Sequence, residues 1–270
     1  MNAEAARVVL VTGSARGIGF GLAAEFLARG HRVMISDLRQ DAVYEAIEKL
    51  NGGDAVAGHV CDVTDLEQLH ALWRAAVDEF GRIDIWINNA GVGSDQSDIA
   101  DTPPHLLQRV IDTNIKGVVY GSQVALQGMR EQLDGGAIYN TAGFGSNGFW
   151  RRGMTIYGTS KRAVAYFSKG LAREAADSGV RVGWLNPGMV VTPLVIEEAR
   201  DMPAEQWAAG RKVFNMFGET IETTADQLVT RILANRRNGV NIHLLPGWKM
   251  LIKALRSLFV RRDLFSDYGV

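Results

Sequence analysis

Short apolar runs alternate with longer segments of helical periodicity along this chain, and this alternation most constrains its fold. The pattern is typical of a parallel sheet with helices on both faces. We expect the 270 residues to form a single α/β domain, a doubly wound sheet of seven parallel strands. The predicted strands are Arg7 to Thr12, Arg32 to Ser36, Ala55 to Val60, Ile83 to Asn88, Ala137 to Thr141, Val180 to Leu185 and Asn241 to Leu245. The predicted helices are Gly17 to Arg29, Asp41 to Leu50, Leu66 to Phe80, Pro103 to Met129, Tyr157 to Ser178 and Thr224 to Asn235.

Charge and cysteine content exclude several classes of protein. The chain has 29 Lys and Arg against 30 Asp and Glu, so it lacks the excess of cations that a nucleic-acid-binding protein needs. Its single cysteine, Cys61, cannot form an internal disulfide, and no Cys/His cluster has the spacing of a metal site. Without a signal-peptide pattern or a long apolar run, we expect a soluble cytoplasmic protein that binds no metal.

Two segments do not follow the alternating pattern. Residues 193–219 form a long connection rich in aromatic and Met side chains, which predicts a lid over the substrate. Residues 247–262 combine apolar and basic residues at helical spacing and predict a basic amphipathic helix. Three roles are open for this helix: a subunit interface, a lid, or attachment to an anionic membrane surface, which we do not favour.

A glycine-rich turn follows the first strand and leads directly into a helix. Gly13, Gly17 and Gly19 suit a tight turn, a close approach of backbone to pyrophosphate, and close helix–strand packing. The helix N-terminus offers free N–H groups to the phosphates, which predicts a Rossmann-type site. The other residues of the turn that we assign to cofactor binding are Ser14, Arg16 and Ile18.

Asp37 lies 20 residues beyond Gly17, at the end of the second predicted strand. A carboxylate at this separation accepts hydrogen bonds from the adenosine ribose and repels the extra phosphate of NADP, which favours NAD. Arg16 and Arg39 argue the other way because either side chain could reach a 2′-phosphate, so NADP stays possible.

Tyr157 and Lys161 lie four residues apart at the start of a predicted helix and therefore share one face. A tyrosine phenol has a pKa of about 10, so acid–base chemistry near neutral pH requires a nearby positive charge. Lys161 beside a cationic nicotinamide ring could supply that charge, and we expect it to make the phenol of Tyr157 more acidic.

The glycine turn, Asp37 and the Tyr157/Lys161 pair occur in the order and at the spacing found in the short-chain dehydrogenase/reductase family. The chain resembles this family as far as about Thr192. The resemblance implies that Asp62 and Val63 contact the adenine and that Asn114 holds a water molecule that relays protons to Lys161. It also implies a homodimer or homotetramer. The remaining cofactor contacts that the resemblance implies are Asn88, Asn89, Ala90, Gly91, Pro187, Gly188 and Thr192.

The sequence departs from the family at the catalytic serine. Gly143 or Phe144 stands where a typical member has that serine, which suggests one inserted residue. Ser146 is the better candidate for the role and Thr141 the competing one. The segment from residue 140 to 146 most resembles the chlorophyll b reductase branch of the family.

The constellation of Tyr157, Lys161, Asn114 and Ser146 therefore predicts hydride transfer between NAD(P) and a carbonyl or alcohol group. Aromatic residues near the mouth of the site suggest a sizeable apolar substrate, and an ordinary core or a subunit interface is the equal alternative for them. The alternative is a catalytically silent protein of the same fold that senses nucleotides or acts as a scaffold, because the serine is displaced.

Overall fold

The computed structural model describes residues 5–94 and 97–269. Seven strands form one sheet in the order β3-β2-β1-β4-β5-β6-β7, and every neighbouring pair is parallel. The first strand, VVLVT, is buried at all five positions because helices cover both faces of the sheet. The strands are β1 (Val8–Thr12), β2 (Arg32–Asp37), β3 (Val56–Val60), β4 (Ile85–Asn88), β5 (Gly136–Thr141), β6 (Val180–Asn186) and β7 (Val240–His243).

Helices cover the two faces of the sheet in separate layers. The helices are α1 (Gly17–Ala28), α2 (Gln40–Leu50), α3 (Leu66–Phe80), α4 (Pro104–Ile111), α5 (Gly117–Glu131), α6 (Thr155–Glu174), α7 (Pro193–Asp201), α8 (Ala204–Phe217), α9 (Ile221–Ala234) and α10 (Gly247–Ser257). One buried apolar cluster joins the sheet to α3, α5 and α6, and a second joins it to α1, α2 and α9. The predicted fold, a single doubly wound α/β domain, is confirmed.

Three segments differ from their predicted structure. A π-helical turn, Asp112–Lys116, interrupts the helix predicted from 103 to 129. The connection at 193–219 is almost entirely helical, because it forms α7 and α8. The predicted C-terminal helix of 247–262 ends at Ser257, and the turn at Leu258 and Phe259 follows it.

The strand order reverses its direction between β1 and β4. In open parallel sheets the connections leave on opposite faces at such a switch point and open a crevice at the carboxyl ends of the strands. The glycine turn after β1 and the segment after β4 both border this crevice. As to membranes, none of the helices built from the described residues combines the length and the apolar character needed to span a bilayer.

Candidate active site

The glycine turn between β1 and α1 packs directly on the segment that follows β4. A Cβ on Gly13, whose φ is +60°, would lie 2.6 Å from the Ala90 Cα, so only glycine fits there. A Cβ on Gly19 would lie 2.5 Å from Asn89 Nδ2, an amide that donates to the carbonyl oxygens of Thr12 and Gly13. These contacts hold the two walls of the crevice together.

The N-terminus of α1 is open towards the crevice. Arg16 is its N-cap residue, and its side chain makes no capping hydrogen bond. The backbone N–H groups of the first turn therefore keep their capacity to bind an anion, and no acidic side chain lies in that turn. Gly17 has φ +62° and only one atom, Cδ of Pro193, within 4 Å of the place of a Cβ. This arrangement fits the pyrophosphate of a dinucleotide.

Two further residues of the turn support its shape. Ser14 is fully buried, and its hydroxyl donates to the Val11 carbonyl at 2.6 Å and accepts from the Ser36 N–H at 3.0 Å. Ile18 packs on the apolar cluster that includes α1 and α9. The Ser14 side chain therefore supports the turn from inside the protein, whereas Ile18 is partly exposed.

Asp37 ends β2 beside the glycine turn. Its carboxylate accepts from the Leu38 N–H at 2.8 Å and from the Ala15 N–H at 3.4 Å. Arg16 is paired with Glu197 of α7 at 2.6 Å, and Arg39 is paired with Asp41. Each of the two arginines that could meet a 2′-phosphate therefore has a carboxylate partner in the structure.

The predicted adenine-contact residues follow β3. The carboxylate of Asp62 accepts from the Thr64 N–H at 2.8 Å, which forms a tight turn after the strand. Val63 is nearly buried and lies close to Gly117, where a Cβ would come within 2.7 Å of Val63 Cγ2. Both residues border the carboxyl end of the sheet, where the cofactor crevice opens.

Asn88 is part of the protein interior rather than of the crevice. Its Nδ2 donates to Asn140 Oδ1 at 2.8 Å and to Ser122 Oγ at 3.0 Å, and its Oδ1 accepts from the Trp86 indole at 2.8 Å. Asn88 is 3% exposed. These bonds use all the donors and one acceptor of its side-chain amide, so this side chain joins β4 to β5 and α5.

Tyr157, Lys161 and Asn114 meet behind the segment that follows β4. The Lys161 ammonium donates to the Thr141 carbonyl at 3.2 Å and lies 5.6 Å from the centre of the Tyr157 ring. Asn114 is fully buried in the π-helical turn, and its amide bonds both the N–H and the C=O of Val92. A Cβ on Gly91 would lie 3.2 Å from Asn114 Oδ1 and 3.3 Å from Lys161 Nζ. The sequence prediction that these residues share one site agrees with this geometry.

In the protein alone, burial has the largest influence on the ionisation of both members of the pair. Burial, followed by the carboxylate of Glu198, raises the pKa of Tyr157 to about 12. Burial lowers the pKa of Lys161 to about 8. Because the ammonium faces a carbonyl and the tyrosine ring, these side chains by themselves keep the phenol protonated at neutral pH.

Ser146 lies in the turn that follows β5, against Asn186 at the end of β6. Its Oγ lies 2.6 Å from both the Gly143 carbonyl oxygen and Asn186 Oδ1, and the residue is 6% exposed. A Cβ on Gly145 would lie 2.6 Å from the Gly158 Cα, so this turn contacts α6 next to Tyr157. The competing candidate, Thr141, has a buried hydroxyl without a hydrogen-bond partner among the described residues.

A large cavity of about 1290 Å³ opens beside these residues. Gly143, Ser146, Gly188 and Glu198 belong to its lining, whereas Tyr157 does not. Gly188, with φ +83°, directs the chain after β6 along this cavity, and Pro187 precedes it. Thr192 caps α7 by accepting from the Val195 N–H at 3.4 Å. The apolar part of the lining includes Phe144, Phe149, Trp150, Met189, Met202, Val213, Phe214, Phe217, Leu245 and Met250.

Sequence reasoning missed two residues of this site. Glu198 lines the cavity from α7, and its Oε1 would lie 2.6 Å from a Cβ on Gly93. Asn186 contacts Ser146 and accepts from the Gly143 N–H at 3.1 Å. Asn186 directly precedes Pro187 and Gly188, two of the implied cofactor contacts, and this position is the signal that could have identified it. Nothing in the local sequence indicated that the carboxylate of Glu198 faces the site.

A doubly wound sheet with a glycine turn at its switch point defines a class, the dinucleotide-binding α/β proteins. Residues 7–203 match the family model described as short chain dehydrogenase. The chain belongs to this family.

Individual relatives agree with that assignment. The chain is 32% identical to a probable chloroplastic chlorophyll(ide) b reductase, NYC1, of Oryza sativa subsp. japonica, over 97% of this chain and 54% of that protein. It thus spans about half the length of this relative, and the expected resemblance to chlorophyll b reductases is confirmed.

Solved structures show the same fold bound to either dinucleotide. A 3-ketoacyl-(acyl-carrier-protein) reductase from Brucella melitensis, complexed with NADH, matches with a TM-score of 0.78 and 26% identity, over 90% of this chain and 98% of that one. An actinorhodin polyketide ketoreductase with NADPH matches with a TM-score of 0.80 and 25% identity, over 90% and 97% of the two chains. The family site is therefore one for NAD(P).

Proposed function

We propose that this protein is an NAD(P)-dependent oxidoreductase that reduces the carbonyl group of a sizeable apolar substrate, or oxidises the corresponding alcohol. The observation that carries the proposal is the Tyr157–Lys161–Asn114 cluster: Lys161 and Asn114 lie close to Gly91, in the segment that packs on the glycine turn, and the turn of Ser146, a residue that lines the large cavity, contacts Gly158 next to Tyr157. The glycine turn, the open N-terminus of α1 and Asp37 fit a dinucleotide. When bound, the cofactor supplies or accepts the hydride.

Tyr157 is the proton donor in the direction of reduction. Its raised pKa keeps the phenol protonated at neutral pH, so it can give its proton to the oxygen that becomes negative. Lys161 is fixed by the Thr141 carbonyl behind the ring and favours the phenolate that remains. Asn114 positions the segment after β4, and its Oδ1 and the Lys161 Nζ both lie next to Gly91.

Ser146 is the proposed hydrogen-bond donor to the substrate oxygen. A hydroxyl has one proton, and here that proton is shared between two acceptors, the Gly143 carbonyl and Asn186 Oδ1. The hydroxyl must therefore turn from these acceptors to the substrate oxygen. Thr141 is the alternative donor because its buried hydroxyl has no partner among the described residues. Activity of Ser146→Ala and Thr141→Val, measured side by side, distinguishes the two.

The cavity supports a sizeable substrate. Its volume of about 1290 Å³ exceeds the usual range for small-ligand sites, which is roughly 300–1,000 Å³. About half of the side chains that line it are aromatic, aliphatic or Met, and polar groups such as Glu198 and Asn186, the latter in contact with Ser146, lie among them. A polycyclic ketone, a long-chain acyl ketone and chlorophyllide b are the first substrates to test.

NAD is the proposed preference. The carboxylate of Asp37 lies next to the glycine turn, where it would repel a 2′-phosphate, and Arg16 and Arg39 are already paired with carboxylates. Titration with NADH and NADPH, followed by nicotinamide fluorescence, measures this preference. Asp37→Ala should narrow the difference between the two affinities.

The decisive experiment compares Tyr157→Phe with Tyr166→Phe. Tyr166 lies on the same helix, α6, and is 81% exposed, so its loss controls for removal of a phenol from that helix. We expect Tyr157→Phe to bind NADH normally and to lose turnover by a factor of about 10²–10⁴, the usual contribution of acid–base catalysis. Turnover unchanged in Tyr157→Phe would refute the mechanism. A wild-type protein that binds NADH but turns over no ketone or alcohol would favour the nucleotide-sensing alternative.

A further inference from the structure

Helix α10 turns its apolar side away from the protein. Trp248, Leu251, Ile252 and Leu255 follow one another at the i, i+3, i+4, i+7 spacing of a single helical face, and Leu258 and Phe259 extend this face into the next turn. These six side chains are between 54% and 87% exposed. We call them the apolar stripe. In a globular helix such a stripe normally faces the core.

The inner side of α10 is polar and is attached to the rest of the domain. The Lys253 ammonium donates to the Phe217 carbonyl at 2.9 Å and is paired with Glu219. Arg262, beyond the helix, donates to the same carboxylate at 3.1 Å. Because these bonds fix the orientation of the helix, the apolar stripe is exposed as a consequence of how α10 is attached.

Cations outnumber carboxylates in the sequence around the stripe. From Gln227 to Arg262 the sequence has no Asp or Glu, but it has eight Lys and Arg residues. Arg256 and Arg261 are exposed next to the stripe, and Lys249 lies on the adjoining face of α10. Anionic lipid headgroups attract such clusters of cations, and an exposed apolar face inserts between the headgroups.

We propose that α10 and the turn after it bind an anionic lipid surface, with the apolar stripe inserted and the surrounding cations at the headgroups. A second copy of the chain fits this face less well, because a two-fold interface would bring the cations of both copies together with no carboxylate between residues 227 and 262 to pair them.

The position of the cavity suggests a role for the binding of α10 to a membrane. Met250 of α10 lines the cavity together with Phe149 and Trp150, whose side chains are more than half exposed. A protein bound through α10 would hold the mouth of an apolar cavity near the membrane, from which an apolar ketone could enter. This delivery step rests on the proposed function, whereas the binding itself does not.

Co-sedimentation of the full chain with vesicles tests the binding, in the absence of cofactor and substrate. We expect the wild type to pellet with vesicles of phosphatidylcholine and phosphatidylglycerol, much less with phosphatidylcholine alone, and less as the salt concentration rises. The variant Leu251→Ser/Leu255→Ser/Leu258→Ser should bind roughly tenfold more weakly or worse, because it removes half of the stripe.

Matched controls lie elsewhere on the surface. Leu133→Ser removes a side chain that is 99% exposed near the end of α5 and should leave vesicle binding unchanged. Arg256→Gln/Arg261→Gln should weaken binding to anionic vesicles, whereas Arg173→Gln on the exposed face of α6 should not. Circular dichroism and the melting temperature of each variant verify that the fold is kept.

Three results would overturn the proposal. One is a wild type that does not pellet with anionic vesicles, and another is a triple variant that binds as the wild type does. The third is a triple variant that changes the oligomeric state in solution while the wild type binds no vesicles, since the face would then be a contact between copies. Turnover of a water-soluble ketone should stay within about twofold in the triple variant, because none of its three positions lines the cavity. Failure of turnover in the wild type would count against the proposed function alone.

Discussion

At the scale of single residues, the carboxylate of Glu198 adds to the effect of burial on the ionisation of Tyr157. Burial is the larger cause of the raised pKa of Tyr157, and the negative charge of Glu198 is the second. Removing that charge makes the phenolate easier to form. In the direction of alcohol oxidation, where the phenolate is the base, Glu198→Gln should move the rise in kcat/KM towards lower pH by roughly half a unit or more.

The measurement is the pH dependence of alcohol oxidation by the wild type and by Glu198→Gln, with saturating cofactor. Glu205→Gln is the control, because Glu205 is an exposed carboxylate on the neighbouring helix α8 and does not line the cavity. An unchanged profile in Glu198→Gln would show that its carboxylate does not act on the phenol.

Lys161 should lower the stability of the fold at neutral pH. It is 4% exposed, and burial lowers its pKa from 10.5 to about 8, so the folded state holds its proton less tightly than the unfolded state does. The native protein therefore carries this cost in full below pH 8 and loses it progressively as the pH rises towards 10.5. Lys161→Met should raise the free energy of unfolding at pH 7 by roughly 1–3 kcal/mol and should abolish turnover.

Urea unfolding at pH 7 and at pH 9.5 measures the effect on the free energy of unfolding. The higher pH lies between the folded and the unfolded pKa of Lys161. The difference between wild type and Lys161→Met should shrink at the higher pH, because the native wild-type amine is then mostly neutral. A variant that is less stable than the wild type at both values would mean that the Thr141 hydrogen bond outweighs the cost of burial.

At the scale of secondary-structure elements, the close contact between β1 and α1 determines the shape of the cofactor site. Gly19 lies against the Asn89 amide and the Gly13 carbonyl, and any Cβ there must displace backbone or a hydrogen-bonded side chain. Gly19→Ala should separate helix from strand, destabilise the protein by about 2–4 kcal/mol and weaken NADH binding by tenfold or more.

Gly170→Ala is the matched control because Gly170 lies in α6 with no atom within 4 Å of the place of a Cβ. This variant should gain about 0.5–1 kcal/mol from the better helix propensity of alanine and should bind NADH normally. Melting temperatures and NADH titrations of both variants provide the comparison. Normal NADH binding by Gly19→Ala would contradict the assigned role of the turn.

At the scale of the whole molecule, a buried network of hydrogen bonds joins the sheet to α5 and α6. Asn140 of β5 accepts from Asn88 of β4 and from Ser122 of α5, and it donates to Ser168 of α6 at 3.0 Å. Asn140→Ala leaves several buried donors and acceptors without partners, each of which costs about 1–3 kcal/mol. We expect the free energy of unfolding to fall by about 3 kcal/mol or more.

Urea unfolding should show this loss as a lower midpoint with an unchanged slope, because the same surface is exposed on unfolding. Gln123→Ala provides the control, since Gln123 is an exposed amide on α5 next to Ser122. A loss in Asn140→Ala no larger than in this control would show that the network contributes little to global stability.

The strands, the glycine turn and the Tyr157–Lys161 pair could be predicted because local rules determine them. Strand-length apolar runs must be buried on both faces, the tight turn with φ +60° at Gly13 favours glycine, and a four-residue spacing puts two side chains on one helical face. The helices of the 193–219 segment were missed because its apolar residues suggested a loop that covers the substrate, and both elements depend on packing with Phe265 near the C-terminus.

Contacts between residues far apart in the chain decided the rest. The raised pKa of Tyr157 depends on Glu198, 41 positions later, and the burial of Asn88 depends on partners in β5 and α5. The amphipathic pattern of α10 could be read from the sequence. Its outward orientation follows from Lys253 and Arg262, which Glu219 holds against the domain. Periodicity fixes which residues share a face, whereas only the assembled layers determine what that face meets.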